Sequence, residues 1–325
     1  MLSLIVGKTI VTPIDEVVVN REMKRVPSSI EFKVLKEQVS DIKLGDKITA
    51  TYDEGNLFMG YVFCIKENKD DVVSIKGYDQ MRYLKNQHTM LIKNKTATKL
   101  IKEIASEFKL QVGEMEDTKV DIATKQKIVE NKSLIDIIYD ALEDTMLANN
   151  QKGNRTVEYL LYDDFGKLTL KKLKDMKSKI ILTEENTYNY SFSRDIDNST
   201  YTKIYIYYKD DKEHKINKHI VNDTDTQKKW GILQKTISTK RITKQQAEEY
   251  AKKLLKYYGV PKQSFTLDCL VGDINIRGGT SVAIMFNTTT KNFNNFFVVN
   301  KVKHIFKDNE YTMKLELLGV DMAWI

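Results

Sequence analysis

Along the first ninety residues apolar and polar positions tend to alternate. TIVTPIDEVVV, SSIEFKVL, DKITATY, LFMGYVFCI and VVSIKGY follow this pattern between turns of Gly, Asp and Asn. Alternation at period two marks strands with one buried face, so residues 1–90 are predicted to be all β. From about residue 91 the period changes. In TATKLIKEIASEFKL, the residues Leu100, Ile101, Ile104, Ala105 and Phe108 share one helical face. In NKSLIDIIYDALEDTML the face is Leu134, Ile135, Ile138, Ala141, Leu142 and Met146. Thr96, Asn131 and Ser133 stand where N-caps belong. A hairpin follows in TVEYLLY, the turn DDFG and KLTLKKL, so residues 91–185 read as a small α+β domain. Strands return in NYSFSRD, TKIYIYYKD and WGILQKTIS, broken by one helix at 243–259 that Gly259 and Pro261 end. The expected chain is mainly β, with β domains at 1–90 and 186–325 flanking the α+β insert.

The two β regions share a pattern. KLGDKITATY (Lys43–Tyr52) and RGGTSVAIMF (Arg277–Phe286) are each a basic residue, a Gly turn and a stretch rich in β-branched residues. The first leads through LFMGYVFCI and a polar turn to VVSIKGYDQ, the second through NFFVVNKV and a polar turn to MKLELLGVD. Aligning Gly77 with Gly319 puts Val73 on Leu315, Ile75 on Leu317 and Asp79 on Asp321, and keeps the alternation in phase. The interval from Gly45 to Gly77 is 32 residues and from Gly279 to Gly319 is 40, with the excess in the polar NTTTKNFNN. Two readings stand: an internal duplication, or a chance match of common strand–turn–strand patterns.

Composition narrows the function classes. The 325 residues are 41% hydrophobic and 30% charged, an ordinary globular balance rather than a disordered one. The net charge of +7 comes from Lys far more than Arg, without an Arg-rich cluster or basic helix, so nucleic-acid binding is not the expected main task. Cys64 and Cys269 sit in apolar runs and are expected to be small buried side chains. The opening MLSLIV is too short for a signal-peptide core and no run reaches transmembrane length, so synthesis and retention in a cytoplasm, without a membrane anchor, are expected.

The search for reactive chemistry finds little. GKT at 7–9 lacks the first Gly of a phosphate loop, because Leu2 stands there. DIDNST at 195–200 would need Gly at Thr200 and Glu at Ile206 to bind calcium. His88, His214, His219 and His304 do not fall at metal-ligand spacings. The acid pairs Asp70–Asp71, Asp163–Asp164 and Asp210–Asp211 lie in polar turns and are expected to be solvated. No catalytic residue, cofactor site or metal site is assigned. Two apolar features could anchor a partner: Trp230 with Leu233, expected to open a strand after an exposed loop, and Trp324 with Ile325 in VDMAWI.

The ordered set of these features resembles the tail-hub proteins of contractile phages and phage-like particles, of the XkdQ type. The resemblance rests on LGDKITATY with FMGYVFCI and SIKGYDQMRYLKNQ, on SLIDIIYDALEDTM with YLLYDDFGKLTLKKL, on WGILQK before AEEYAKKLL, and on LVGDINIRGGTSVAI. It spans nearly the whole chain. The resemblance implies two similar tube-like β-barrel domains per subunit and a homotrimer whose six barrels join a sixfold tail tube to a threefold spike. Gly45, Gly77 and Asp79 would then match Gly279, Gly319 and Asp321 as equivalent turn positions. The implied partners are the tail tube protein above, the spike below, a LysM-bearing baseplate protein and the baseplate wedge, with tape-measure protein or DNA in the channel. Assembly would occur in the bacterial host cytoplasm and the protein would end in the virion or tail-like particle. Such a protein is structural rather than catalytic. The alternatives are a cell-wall-degrading tail enzyme and a non-catalytic binding module.

Overall fold

The computed structural model describes residues 1–69, 71–122, 127–151, 157–197, 199–209, 216–240, 243–287 and 292–318. The chain divides into two compact units. One holds residues 1–190 together with the chain from Thr266 onward, and the other holds Ser191–Phe265. The boundaries expected at 90 and 185 therefore fall inside the first unit.

The first unit begins with seven strands: β1 (Leu2–Val6), β2 (Thr9–Ile10), β3 (Val17–Glu22), β4 (Ser29–Leu35), β5 (Lys47–Tyr52), β6 (Gly55–Glu67) and β7 (Val72–Tyr78). The α+β segment follows, with β8 (Gln87–Ile92), α1 (Ala97–Glu107), β9 (Val112–Met115), β10 (Lys127–Ser133), α2 (Leu134–Gln151), β11 (Tyr159–Asp163) and β12 (Leu168–Lys172). Thr96 caps α1 by accepting the Lys99 N–H at 3.2 Å, and Ser133 accepts the Asp136 N–H at 3.2 Å in the first turn of α2. The apolar faces of the two helices meet in a core of Leu100, Ile101, Ile104, Leu134, Ile138 and Leu142, with Leu161 and Leu170 from the hairpin. The segment thus has its own core within the larger unit.

Next come β13 (Lys177–Thr183) and β14 (Thr187–Asp195). The second unit contains β15 (Lys203–Lys209), β16 (Ile216–Asn222), α3 (Thr224–Trp230), β17 (Gln234–Lys240) and α4 (Lys244–Tyr258). Its sheet runs β16–β15–β17, and Ala247 and Ala251 of α4 pack on Ile204, Ile206 and Tyr208. A capping box of Thr243 and Gln246 starts α4. The strand β18 (Lys262–Cys269) returns the chain to the first unit, which ends in β19 (Ser281–Asn287), β20 (Asn292–Lys307) and β21 (Glu310–Leu318).

The large sheet of the first unit runs β14–β18–β21–β20–β3–β4–β7–β6–β5–β1–β2, with β19 and β13 branching from β20. The chain is mainly β with the α+β insert in the expected place. Among the described residues the pairing does not close into a barrel. Both β regions share this one sheet because β20 pairs with β3, from Lys301↔Glu22 to Phe306↔Val17. One face carries the core of Val17, Val19, Ile30, Phe32, Val34, Ile48, Val73, Ile75 and Phe306. The other carries both signs of charge: Lys301 and Lys303 on β20, Glu22 on β3, Glu31 and Lys33 on β4, and Lys76 on β7.

Candidate assembly site

The repeated pattern folds into two three-stranded antiparallel meanders, β5–β6–β7 and β19–β20–β21. Their entry turns match atom for atom. Gly45 donates its N–H to the Val62 carbonyl at 2.8 Å, and Gly279 donates to Val299 at 2.7 Å. Val62 donates back to the Asp46 carbonyl at 2.8 Å, and Val299 to Thr280 at 2.9 Å. Both glycines have positive φ, 88° and 93°, the left-handed region in which a side chain is strained. Each meander then breaks register at the same place, between Val62 and Cys64 and between Val299 and Lys301. A bulge leaves one residue unpaired and sharpens the twist of the strand, so both long strands bend at equivalent points.

The ladders also correct the alignment read from the sequence. Val62 pairs with Gly77 and Val299 with Leu317, so Leu317 rather than Gly319 holds the place of Gly77. A slip of two residues preserves the alternation, which is why the pattern did not reveal it. A Cβ at Gly77 would come within 2.4 Å of Ile48 Cδ1 and 2.9 Å of the Tyr61 carbonyl oxygen, so the first meander needs glycine there and the second does not. By the same register Met59 corresponds to Phe296, since Thr49 pairs with Met59 and Ala283 with Phe296. The Gly166 turn of the α+β segment rests against the Met59 sulfur, whereas Phe296 is 58% exposed.

Polar side chains are buried where the two meanders and the hairpin meet. Arg21 of β3 is buried and donates to the carbonyls of Ile274 (2.5 Å), Ile276 (3.3 Å) and Leu57. Leu57 is the extra residue of a second break in the β5–β6 ladder, and the bulge frees its carbonyl for the guanidinium. Burial, and then the nearby Arg277, lowers the Arg21 pKa. The group stays charged at neutral pH because a guanidinium surrounded by carbonyls has no reason to release a proton. His304 sits beside it, fully buried. Its Nε2 donates to the Ile276 carbonyl at 3.0 Å, so Nδ1 accepts from the Tyr311 hydroxyl at 2.7 Å. Burial first, then the Arg21 charge, holds this imidazole neutral, well below its ordinary pKa.

Asp79 caps the short 3-10 helix Gln80–Lys85 that follows β7, accepting N–H groups from Met81 at 3.0 Å and Ser28 at 2.9 Å. Asp163, expected in a solvated turn, is buried instead, because the hairpin folds back on the sheet. Its Oδ1 accepts the Gly166 N–H at 2.7 Å, and Oδ2 has no partner. Burial and then the Asp163 charge push Asp79 up to about 8, and burial raises Asp163 too. Arg277 closes the group. It donates to the Asp163 carbonyl at 2.8 Å and to Asp164 at 3.2 Å, with its guanidinium 4.1 Å from the Tyr162 ring centre. Asp79, Asp163, Arg21 and Arg277 line a cavity of about 10 Å³, room for at most one water. A substrate-binding cleft is tens of times larger, so these carboxyls act as a joint between segments rather than as an acid–base pair for a substrate.

The remaining expected positions scatter. Gly319, Asp321, Trp324 and Ile325 lie outside the described residues, as do Asp70, Asp210, Asp211 and His214. Trp230 does not open a strand. It ends α3, because Asp223 accepts the N–H groups of Asp225 and Thr226 and turns the polar run into a helix. Leu233 lies between α3 and β17, and its carbonyl accepts from Thr202 (2.8 Å) and Lys203 (3.0 Å). Cys269 is buried as expected, but Cys64 is exposed. Among the described residues no three His, Cys, Asp or Glu side chains gather as metal ligands, and no helix is long and apolar enough to cross a membrane.

Comparisons with known proteins bear on this arrangement. A family model described as YQBQ-like matches residues 17–318. The phage-like element PBSX protein XkdQ of Bacillus subtilis is 28% identical over 303 residues, covering 90% of this chain and 89% of its own. Among solved structures, the 43 kDa tail protein of prophage MuSo2 from Shewanella oneidensis aligns with a TM-score of 0.71 at 14% identity, over 98% of this chain and 97% of that one. The E. coli c3393 protein, described as a type VI secretion component similar in structure to the T4 tail proteins gp27 and gp5, aligns with a TM-score of 0.60 at 8% identity, over 98% and 77%. At these identities the structural matches establish a shared fold.

Proposed function

That the chain belongs to the YQBQ-like family is the premise from which we propose a structural hub of a contractile phage tail or tail-like particle. Three copies form a ring that joins the tail tube to the central spike. The observation that carries this reading is the matched pair of meanders. A sixfold tube needs six near-equivalent docking surfaces, and three chains supply them when each presents the same turn, ladder and bulge twice. Both copies sit in one sheet, so their relative orientation is held by strand pairing rather than by a linker.

The charged face of that sheet lines the channel. Each lysine has an acid beside it: Lys76 pairs with Glu31 at 2.7 Å, Lys33 with Asp15 at 2.9 Å and Lys303 with Glu16 at 3.9 Å, and Lys301 stands opposite Glu22. A balanced surface neither grips nor repels a passing polyanion, whereas a run of unpaired lysines would hold phosphate by counterion release. The α+β segment faces the baseplate wedge and the LysM-bearing protein. Any wall-cutting activity belongs to another component.

Light scattering after size exclusion, with negative-stain images of the same peak, tests the reading. Three chains of 37.7 kDa give about 113 kDa, and ring-shaped particles of sixfold outline are expected. A chain that stays monomeric both alone and with its spike partner overturns it.

A further inference from the structure

The long strand β20 has two halves with different neighbours. Asn292–Val298 pairs with β19, and beyond the bulge Lys301–Phe306 pairs with β3. The corresponding strand β6 is built the same way up to the bulge. Gly55–Tyr61 pairs with β5, while Cys64–Glu67 pairs with β7 on one side. On its other side, where β20 receives β3, no strand lies beside Cys64–Glu67 among the described residues.

The complement of this open edge is also present. β3 reaches the first meander through β4, which pairs with β7. In the second meander β18 stands beside β21, and β14 stands beside β18. Thus β14 holds in the second copy the place that β3 holds in the first. β3 has a partner on each side, β4 and β20. β14 is the end of the sheet, with β18 alone beside it among the described residues. Burial follows the same contrast. Position for position, Lys301 and Lys303 beside β3 are half-buried whereas Cys64 and Lys66 are exposed, and Val302 and His304 are buried whereas Ile65 is half-buried and Glu67 exposed; Tyr188 of β14 is 62% exposed.

We propose that β14 of one copy adds to the open edge of β6, at Cys64–Glu67, in a second copy of this chain. The seam repeats between chains the β3–β20 pairing made within one. An open strand edge of this length is a liability unless something covers it, and main-chain pairing to an edge is a common mode of protein association. The two edges differ, so the contact is head-to-tail, and a head-to-tail contact whose rotation closes makes a ring. The proposal rests on the ring reading above and adds the surfaces that form the ring. It also explains why a chain with two meanders leaves one edge of each kind without a neighbouring strand among the described residues.

Cys64 provides the native reporter, since the other cysteine, Cys269, is buried. On the full chain, alone and with its spike partner, the experiment measures maleimide labelling of Cys64 before and after oligomerisation, as read by light scattering. Pairing of the edge should slow labelling by about tenfold or more, because the strand must open before the thiol is reached. In parallel, Ser193→Cys and Arg194→Cys sample the two faces of the end of β14, because Cys64 holds the place of Lys301 and Lys301 pairs with Glu22, the last residue of β3. One of them should give disulfide-linked chains on oxidation, running as a ladder up to a covalent trimer, and Cys64→Ser in the same background should abolish the ladder. Cross-strand neighbours bring Cβ atoms close enough for this bond, and more distant pairs do not. A ring whose Cys64 labels as fast as in the unassembled chain, and which gives no ladder, overturns this seam and leaves the ring reading intact. A chain that never oligomerises overturns both. The labelling arm uses the unaltered protein, so it decides the matter even if the cysteine variants misfold.

Discussion

Raising the pH from 6.5 to 8.5 should destabilise the protein, and the cause can be traced to one carboxyl. Asp79 is held near 8 in the fold by burial and by Asp163, against about 3.9 in an unfolded chain. The folded state therefore keeps a proton that the unfolded state has already released. Its contribution is fully present below the unfolded value and is lost as the pH rises through 8. Well below 8 the loss is about 1.4 kcal/mol per pH unit. Rounding near the folded value leaves about 2 kcal/mol across the window. His304 works the other way. Its pKa is depressed, so its contribution is present above the unfolded value and weakens below it, which offsets a minor part of the Asp79 effect at pH 6.5. The net fall is about 1–2 kcal/mol, or roughly 2–8 °C in Tm for a unit of this size. Scanning calorimetry at constant ionic strength measures it. Asp79→Asn should abolish the slope at a fixed cost of about 1–2 kcal/mol, since an amide nitrogen cannot accept the second N–H. Asp163→Asn should flatten the slope without removing it, because burial is the larger cause. A flat wild-type profile, or a slope that survives Asp79→Asn, refutes the assignment.

Gly45→Ala should cost about 1 kcal/mol from its positive φ, because a Cβ there meets open space. Gly279→Ala should cost about 2–4 kcal/mol by urea denaturation, since its Cβ would stand 2.6 Å from Leu160 Cδ2. Arg21→Met should cost about 3 kcal/mol or more, because three buried carbonyls lose their donor; a loss under 1 kcal/mol would mean that water replaces the guanidinium freely. Thr243→Ala should remove about 1 kcal/mol from α4, read as faster hydrogen exchange in its first turn while the meander amides are unchanged.

Local features were legible in the sequence because their causes are local. The helical faces around Ile104 and Ile138, and the caps Thr96 and Ser133, are set by residues three or four apart. The strand alternation was legible for the same reason. Long-range pairing left no such mark. Arg21 finds the Ile274 carbonyl 253 residues away, and neither partner carries a local signature of the other. Asp163 looked like a turn residue because its neighbours make a turn; only the folding of that turn onto the sheet buries it. Cys64 looked internal because its run is apolar, yet past the bulge it stands opposite Lys76 on the charged face of the sheet. Trp230 ends a helix rather than opening a strand because Asp223 caps the polar run, and polarity alone does not separate a capped helix from a loop.

The contrast between Met59 and Phe296 has a consequence for symmetry. A ring of six identical subunits must decorate all six positions or none, since every subunit has the same surface. Writing the repeat twice in one chain lifts that restriction. The ladders and bulges can stay alike where the tube requires sameness, while the α+β segment leans on Met59 and leaves Phe296 bare. In the ring proposed above, the spine would be sixfold and the ornaments threefold, so it could count by six toward one neighbour and by three toward another.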